Sequence, residues 1–102
     1  MTPDLVPAEF EQTMGCTLTD LLRYLPGALP GAHFDADLAA GVVRAVFSDG
    51  SLQLTMWSLP ARRIALLEIP CLQVRFEYTG LEPRRRHEVQ RRFDLGTHRG
   101  GG

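Results

Sequence analysis

The chain has 102 residues, 44 % apolar and 23 % charged, with a net charge of −1. That length suits a single domain, 1–102, and that balance excludes overall disorder. A net charge this small predicts neither nucleic-acid nor membrane attraction by itself, and a domain this small buries only about two-thirds of its unfolded surface, so a partner subunit would add to its stability.

The charge is unevenly placed. Residues 1–60 hold seven acids and two arginines, net −5, whereas residues 61–102 hold nine arginines and five acids, net +4. All eleven basic residues are arginine, which suits planar, bidentate recognition but also follows from GC-rich codon usage. Cys16 and Cys71 stand in no metal or redox spacing. No apolar run approaches the roughly 20 residues of a membrane span, and no basic-plus-apolar start marks a signal peptide. The expectation is a soluble cytoplasmic protein with reduced thiols, no cofactor, no metal and no membrane partner.

In chain order, Pro7 can open a short helix over Ala8–Met14 that Gly15 ends, with Phe10 and Met14 on one face. Thr17 can cap the next helix, with Asp20 completing a capping box. Leu18, Leu21, Leu22 and Leu25 then follow at i, i+3, i+4, i+7, and Pro26–Gly27 stops the stripe. Residues 26–40 carry two Pro–Gly dipeptides and read as a loop or a poor strand. Within them, His33, Asp35 and Asp37 alternate, so an extended backbone would point all three side chains the same way.

Four β-like runs follow: GVVRAVF from Gly41, SLQLTMWS from Ser51, RRIALLEI from Arg62 and LQVRFEY from Leu72. Asp49–Gly50 marks a hairpin between the first two. Val43, Ala45 and Phe47 suit a core; so do Leu52, Leu54 and Met56, and Leu72, Val74, Phe76 and Tyr78, in the alternation of an antiparallel sheet with one covered face. The third run is apolar on both faces, which predicts a strand that is central or covered on both sides. Pro70–Cys71 is a poor two-residue turn, leaving either a wider turn or one long strand bent at Pro70. Pro83 opens a last helix running to about Leu95, with Gly96 at its C-cap and residues 97–102 as a flexible tail.

The predicted fold is α+β: a four-stranded, mainly antiparallel sheet with an N-terminal Leu-rich helix and a C-terminal Arg-rich helix on one face. Its predicted core is Leu18, Leu21, Leu22, Leu25, Val43, Phe47, Leu52, Leu54, Met56, Leu67, Val74, Phe76, Val89 and Phe93.

No phosphate-cradling, nucleophile-elbow, dinucleotide, zinc or kinase pattern is present, and no pair of catalytic groups is placed by the spacing. Three surfaces remain. The second face of the sheet would carry Val42, Arg44, Val46, Gln53, Trp57 and Arg75; tryptophan and arginine among aliphatics are what interface centres are enriched in. It predicts a non-catalytic interaction protein, a homodimer or the binder of another protein. On the last helix, Arg84, Arg85, Arg91 and Arg92 would form one basic stripe able to contact phosphates, although Glu88 interrupts it and no aromatic platform accompanies it. A small metal- or thiol-dependent enzyme would use His33, Asp35 and Asp37, or Cys16 as a thiolate at a helix start.

Overall fold

The computed structural model describes residues 6–97. The elements are β1 (Glu9–Met14), α1 (Leu18–Ala28), β2 (His33–Asp37), β3 (Val42–Phe47), β4 (Gly50–Ile64), β5 (Leu67–Thr79) and α2 (Pro83–Thr97). The strands form one antiparallel sheet in the order β1-β5-β4-β3-β2. It is an α+β fold with, among the described residues, two helices and five strands, one strand more than the sequence predicts.

Register explains why one face is covered. Leu54 sits between Val43 and Phe76, and Leu52 between Ala45 and Tyr78. All six are buried, and α1 and α2 cover them with Leu21, Leu25, Ala28, Val89 and Phe93. Phe76 is the centre: its ring stacks on Phe10 at 4.6 Å and meets Phe93 edge-on at 5.2 Å. Tyr78 reaches the same layer with its hydroxyl donating to Gln90 Oε1 at 2.7 Å, and Gln90 Nε2 donates to Asp94 Oδ1 at 3.0 Å. Burial, then the Asp94 charge, push the Tyr78 phenol well above its usual range, against a smaller opposing effect of Arg86. The phenol therefore stays protonated and keeps donating.

Thr17 caps α1 as predicted: its Oγ1 accepts from the Asp20 N–H at 3.1 Å, and Asp20 Oδ2 accepts from the Thr17 N–H at 3.2 Å. Pro26 does not stop the helix. It lies within the last turn, and the Leu29 N–H still reaches the Leu25 carbonyl at 2.8 Å. The predicted helix over Ala8–Met14 is instead β1. Phe10, Gln12 and Met14 alternate inward just as well as Phe10 and Met14 share a helical face, and pairing along β5 from Phe76 to Leu72 decides the matter. Residues 33–37, read as loop or poor strand, form the edge strand β2, exposed along its whole length.

The largest correction lies at residues 59–71. RRIALLEI is not a central strand. Its middle, Ala65–Leu66, is the turn of the β4–β5 hairpin, with Ile64 opposite Leu67. Of the two turn residues only Ala65 takes a positive φ, 57°, a region where glycine is the usual occupant. Pro70 is no turn: β5 runs through it, and the register slips between Leu59 and Arg62, so Pro60 and Ala61 bulge opposite it. Leu67, predicted to be core, is 65 % exposed. Leu18, Leu22 and Phe47 are partly buried at the core's margin.

Gly96 is also reassigned. It lies inside α2 rather than at its cap, and a Cβ there would stand 2.7 Å from Ala28 Cα and 2.8 Å from Ala28 Cβ. The two helices approach closely because both residues are small. The predicted tail falls almost entirely outside the described residues; only Thr97 is within them, and it closes α2 by donating from Oγ1 to the Phe93 carbonyl at 2.9 Å.

Two substitutions test this packing. Gly96→Ala raises helix propensity by about 1 kcal/mol, yet should lower stability in urea unfolding by about 1–3 kcal/mol because backbone must shift. Phe76→Ala should cost about 3–5 kcal/mol. A stabilised Gly96→Ala would show that the helices are not in contact there.

Candidate interaction surface

The uncovered face is built from the alternate residues of all five strands. One row across it reads Glu9, Glu77, Gln53, Arg44, Asp35; the next reads Glu11, Arg75, Thr55, Val42, Asp37. Arg75 holds the β1–β5 seam. Its Nη2 donates to Glu9 Oε1 at 2.9 Å and Nη1 to Glu11 Oε2 at 3.4 Å, with Glu77 Oε1 3.8 Å from Nε. Gln73 adds a bond to Glu11 Oε1 at 2.9 Å and accepts one from Thr13 at 2.6 Å. Arg75 is therefore satisfied within the protomer, and its charge is offset by three glutamates.

Trp57 lies on the same face, opposite Gln73, and is 42 % exposed. It sits where the sheet narrows: β3 pairs β4 only as far as Thr55, and the last bond on that side runs from the Met56 N–H to the Gly41 carbonyl at 2.8 Å. Gly41 is required there, since its φ is 72° and a Cβ would lie 2.6 Å from the Met56 oxygen. Beyond Met14 and Trp57 only β4 and β5 continue, as a two-stranded arm. By alternation through the bulge, Leu59, Ile69, Ile64 and Leu67 extend the face of Trp57 along this arm. Ile64 is 48 % exposed and Leu66, at the tip, is fully exposed.

Val42 is half-buried, Val46 and Arg44 are exposed and Gln53 is half-buried. The six residues picked from the sequence thus share one face. The arm tip was missed because its turn has no Asn, Asp or Gly. A signal was present all the same, as Pro60 and Pro70 stand at equal distances on either side of Ala65.

The arginines of α2 are divided. Arg85 Nε donates to Asp49 Oδ2 at 2.9 Å, Nη1 lies 3.5 Å from Glu88, and the guanidinium stands 5.3 Å from the centre of the Phe47 ring. Arg86 is structural, donating to the Val6 and Leu81 carbonyls at 2.9 Å each. Arg84, Arg91 and Arg92 are exposed and make no ion pair among the described residues. Arg92 and Arg85 border an open cleft of about 260 Å³ between Leu29, Phe47 and Val89.

The other candidates are not assembled. β2 does place His33, Asp35 and Asp37 on one face, but successive members are about 7 Å apart along a strand. Asp37 Oδ1 is already accepting from the Ala40 N–H at 3.2 Å. No group of three His, Cys, Asp or Glu side chains among the described residues could hold a metal ion. Cys16 lies at the start of α1, yet burial, then the Asp20 charge, push its thiol up rather than down. Compared with known proteins, the chain matches no family model and no curated protein.

The Cys16 shift has a kinetic consequence. With its folded pKa raised, less thiolate is present at pH 7.5 than in the unfolded chain, so a maleimide should label Cys16 more slowly in the native protein than in urea. The native rate should keep rising with pH beyond the point where the unfolded rate levels off. Faster labelling in the native state would restore the reactive-thiolate reading.

Proposed function

We propose that this protein is a non-catalytic interaction protein that self-associates through the open face of its sheet. The observation that supports this reading is Trp57, a large aromatic residue nearly half exposed at the head of an apolar strip that neither helix covers. Aromatic residues placed in this way supply most of the binding energy where interfaces form, and the surrounding Gln53, Thr55 and Gln73 are the polar rim such centres have. Val42 and Val46 extend the apolar part, while Arg44 and the carboxylates around Arg75 supply orienting charge.

Nucleic-acid binding through α2 is the second reading, favoured by the exposure of Arg84, Arg91 and Arg92. Three phosphate contacts give a log K against log salt slope of about −2.7 on duplex DNA, a weak dependence. Glu88 and Asp94 lie on the same helix. Binding to duplex DNA at physiological salt should therefore be weaker than micromolar, as measured by fluorescence anisotropy. A micromolar or tighter affinity lost in Arg84→Ala/Arg91→Ala would put this reading first.

For self-association, the wild-type chain should scatter light as a dimer, and Trp57→Asp should weaken the dimer by about 30-fold or more, the loss of a hot-spot residue. Its circular dichroism should not change, because Trp57 is outside the core. A wild-type monomer at millimolar concentration removes the proposal.

A further inference from the structure

The β4–β5 arm projects about 20 Å beyond the Trp57 row at ~3.3 Å per residue, and the molecule is correspondingly elongated, 44 × 36 × 21 Å. Such a ribbon has two unpaired backbone edges, the usual route to strand-by-strand association. Here both edges are blocked near their middle, by Pro60 on β4 and Pro70 on β5, neither of which has an N–H to donate. The faces are left unprotected. A hairpin tip in water calls for Asn-Gly or Asp-Gly, but this tip is Ile64-Ala65-Leu66-Leu67, and its three large side chains are 48–101 % exposed. The arm is built to be covered through its side chains.

We infer that the occupant is a second copy of this chain, with each arm lying across the open sheet of its partner about a two-fold axis near Trp57 and Leu59. This inference rests on the self-association proposed above and specifies its geometry. Three observations favour a second copy. The first is length: from Trp57 the sheet extends back to the Val46–Ser51 row, about 20 Å at the same rise, so arm and sheet have equal reach on opposite sides of the proposed axis. The overlay brings the Ile64/Leu67 tip over the Val46–Ser51 row, against the aliphatic Val46 of β3, and brings Leu59 over the Thr55–Val42 row next to Trp57. The second is charge. The open sheet carries Glu9, Glu11, Glu77, Asp35 and Asp37 against Arg44 and Arg75, whereas the same face of the arm presents Arg62, opposite Ile69, and no carboxylate, because Arg63 and Glu68 pair on its other face. A two-fold axis sets the basic arm against the acidic sheet twice. The third is area. Strand spacing and rise give one arm face about 200 Å²; a second copy doubles this to about 400 Å² per partner, its own arm face plus the equal patch of sheet under the partner's arm, the size of a weak interface.

The test uses the full chain. Replacing residues 60–70 with Asn-Gly joins Leu59 to Cys71, which already face each other, and removes the arm without disturbing the helices. By sedimentation equilibrium this variant should dissociate at least 30-fold more readily than wild type while keeping its circular dichroism. A second measurement does not depend on shortening the chain. In a Cys16→Ser/Cys71→Ser background, Ile64→Cys and Val46→Cys chains mixed under mild oxidation should form a disulfide-linked heterodimer in preference to either homodimer. If Trp57→Asp gives a monomer but the shortened chain remains a dimer and the mixture does not cross-link, the arm placement fails and self-association through the face stands. If wild type is a monomer at millimolar concentration, both fail. If a wild-type monomer binds a different protein through the arm, the second-copy inference is overturned.

Discussion

The packing of Phe76, stacked on Phe10 and met edge-on by Phe93, is the contact on which the rest of the molecule depends. It joins β1, β5 and α2, three elements from opposite ends of the chain, around one fully buried ring. Once Phe76 faces the helices, strand alternation leaves no choice for its neighbours: Arg75 and Glu77 must face away, and with them the whole second face of the sheet. The covered face is then closed by two helices that approach through Ala28 and Gly96. Two short helices are enough for one face of a five-stranded sheet, and among the described residues no further element covers the other.

The open face is therefore a consequence of the core, and its chemistry divides along the strands. Along the β1–β5 seam it is polar and internally satisfied, as the Arg75 network shows. Over the two-stranded part it becomes apolar, beginning at Trp57. The change coincides with the loss of β1 and β3 as neighbours, beyond which β4 and β5 pair only with each other. A surface organised in this way distinguishes orientation from affinity, with charges fixing how a partner approaches and the aliphatic strip holding it.

Much of this was legible in the residues. The capping box of Thr17 and Asp20, the leucine stripe of α1, and the alternation of Val43–Phe47, Leu52–Met56 and Leu72–Tyr78 each have a single reading that tertiary packing did not override. The six open-face residues followed from that alternation. β1 was not legible because Phe10 and Met14 fit two periods at once, and its true partner, β5, lies some two-thirds of the chain away. The arm was not legible because RRIALLEI is apolar on both faces, the usual mark of a buried strand, and Ala65 accepts a turn conformation that composition gives no reason to expect. The arginine stripe shows the opposite limit: helical spacing grouped Arg84, Arg85, Arg91 and Arg92 correctly on a cylinder, but could not show that Asp49, from the β3–β4 turn, occupies Arg85.

Because β1 pairs only with β5 within the sheet, the order of synthesis matters. The hairpins joining β2, β3, β4 and β5 link neighbours in sequence and can close early, whereas Phe10 must wait for Phe76. Until β5 leaves the ribosome, β1 has no strand to pair with and α1 no completed sheet to dock on. Folding of this domain is thus a late event in translation, with long-range closure of β1 its slow step.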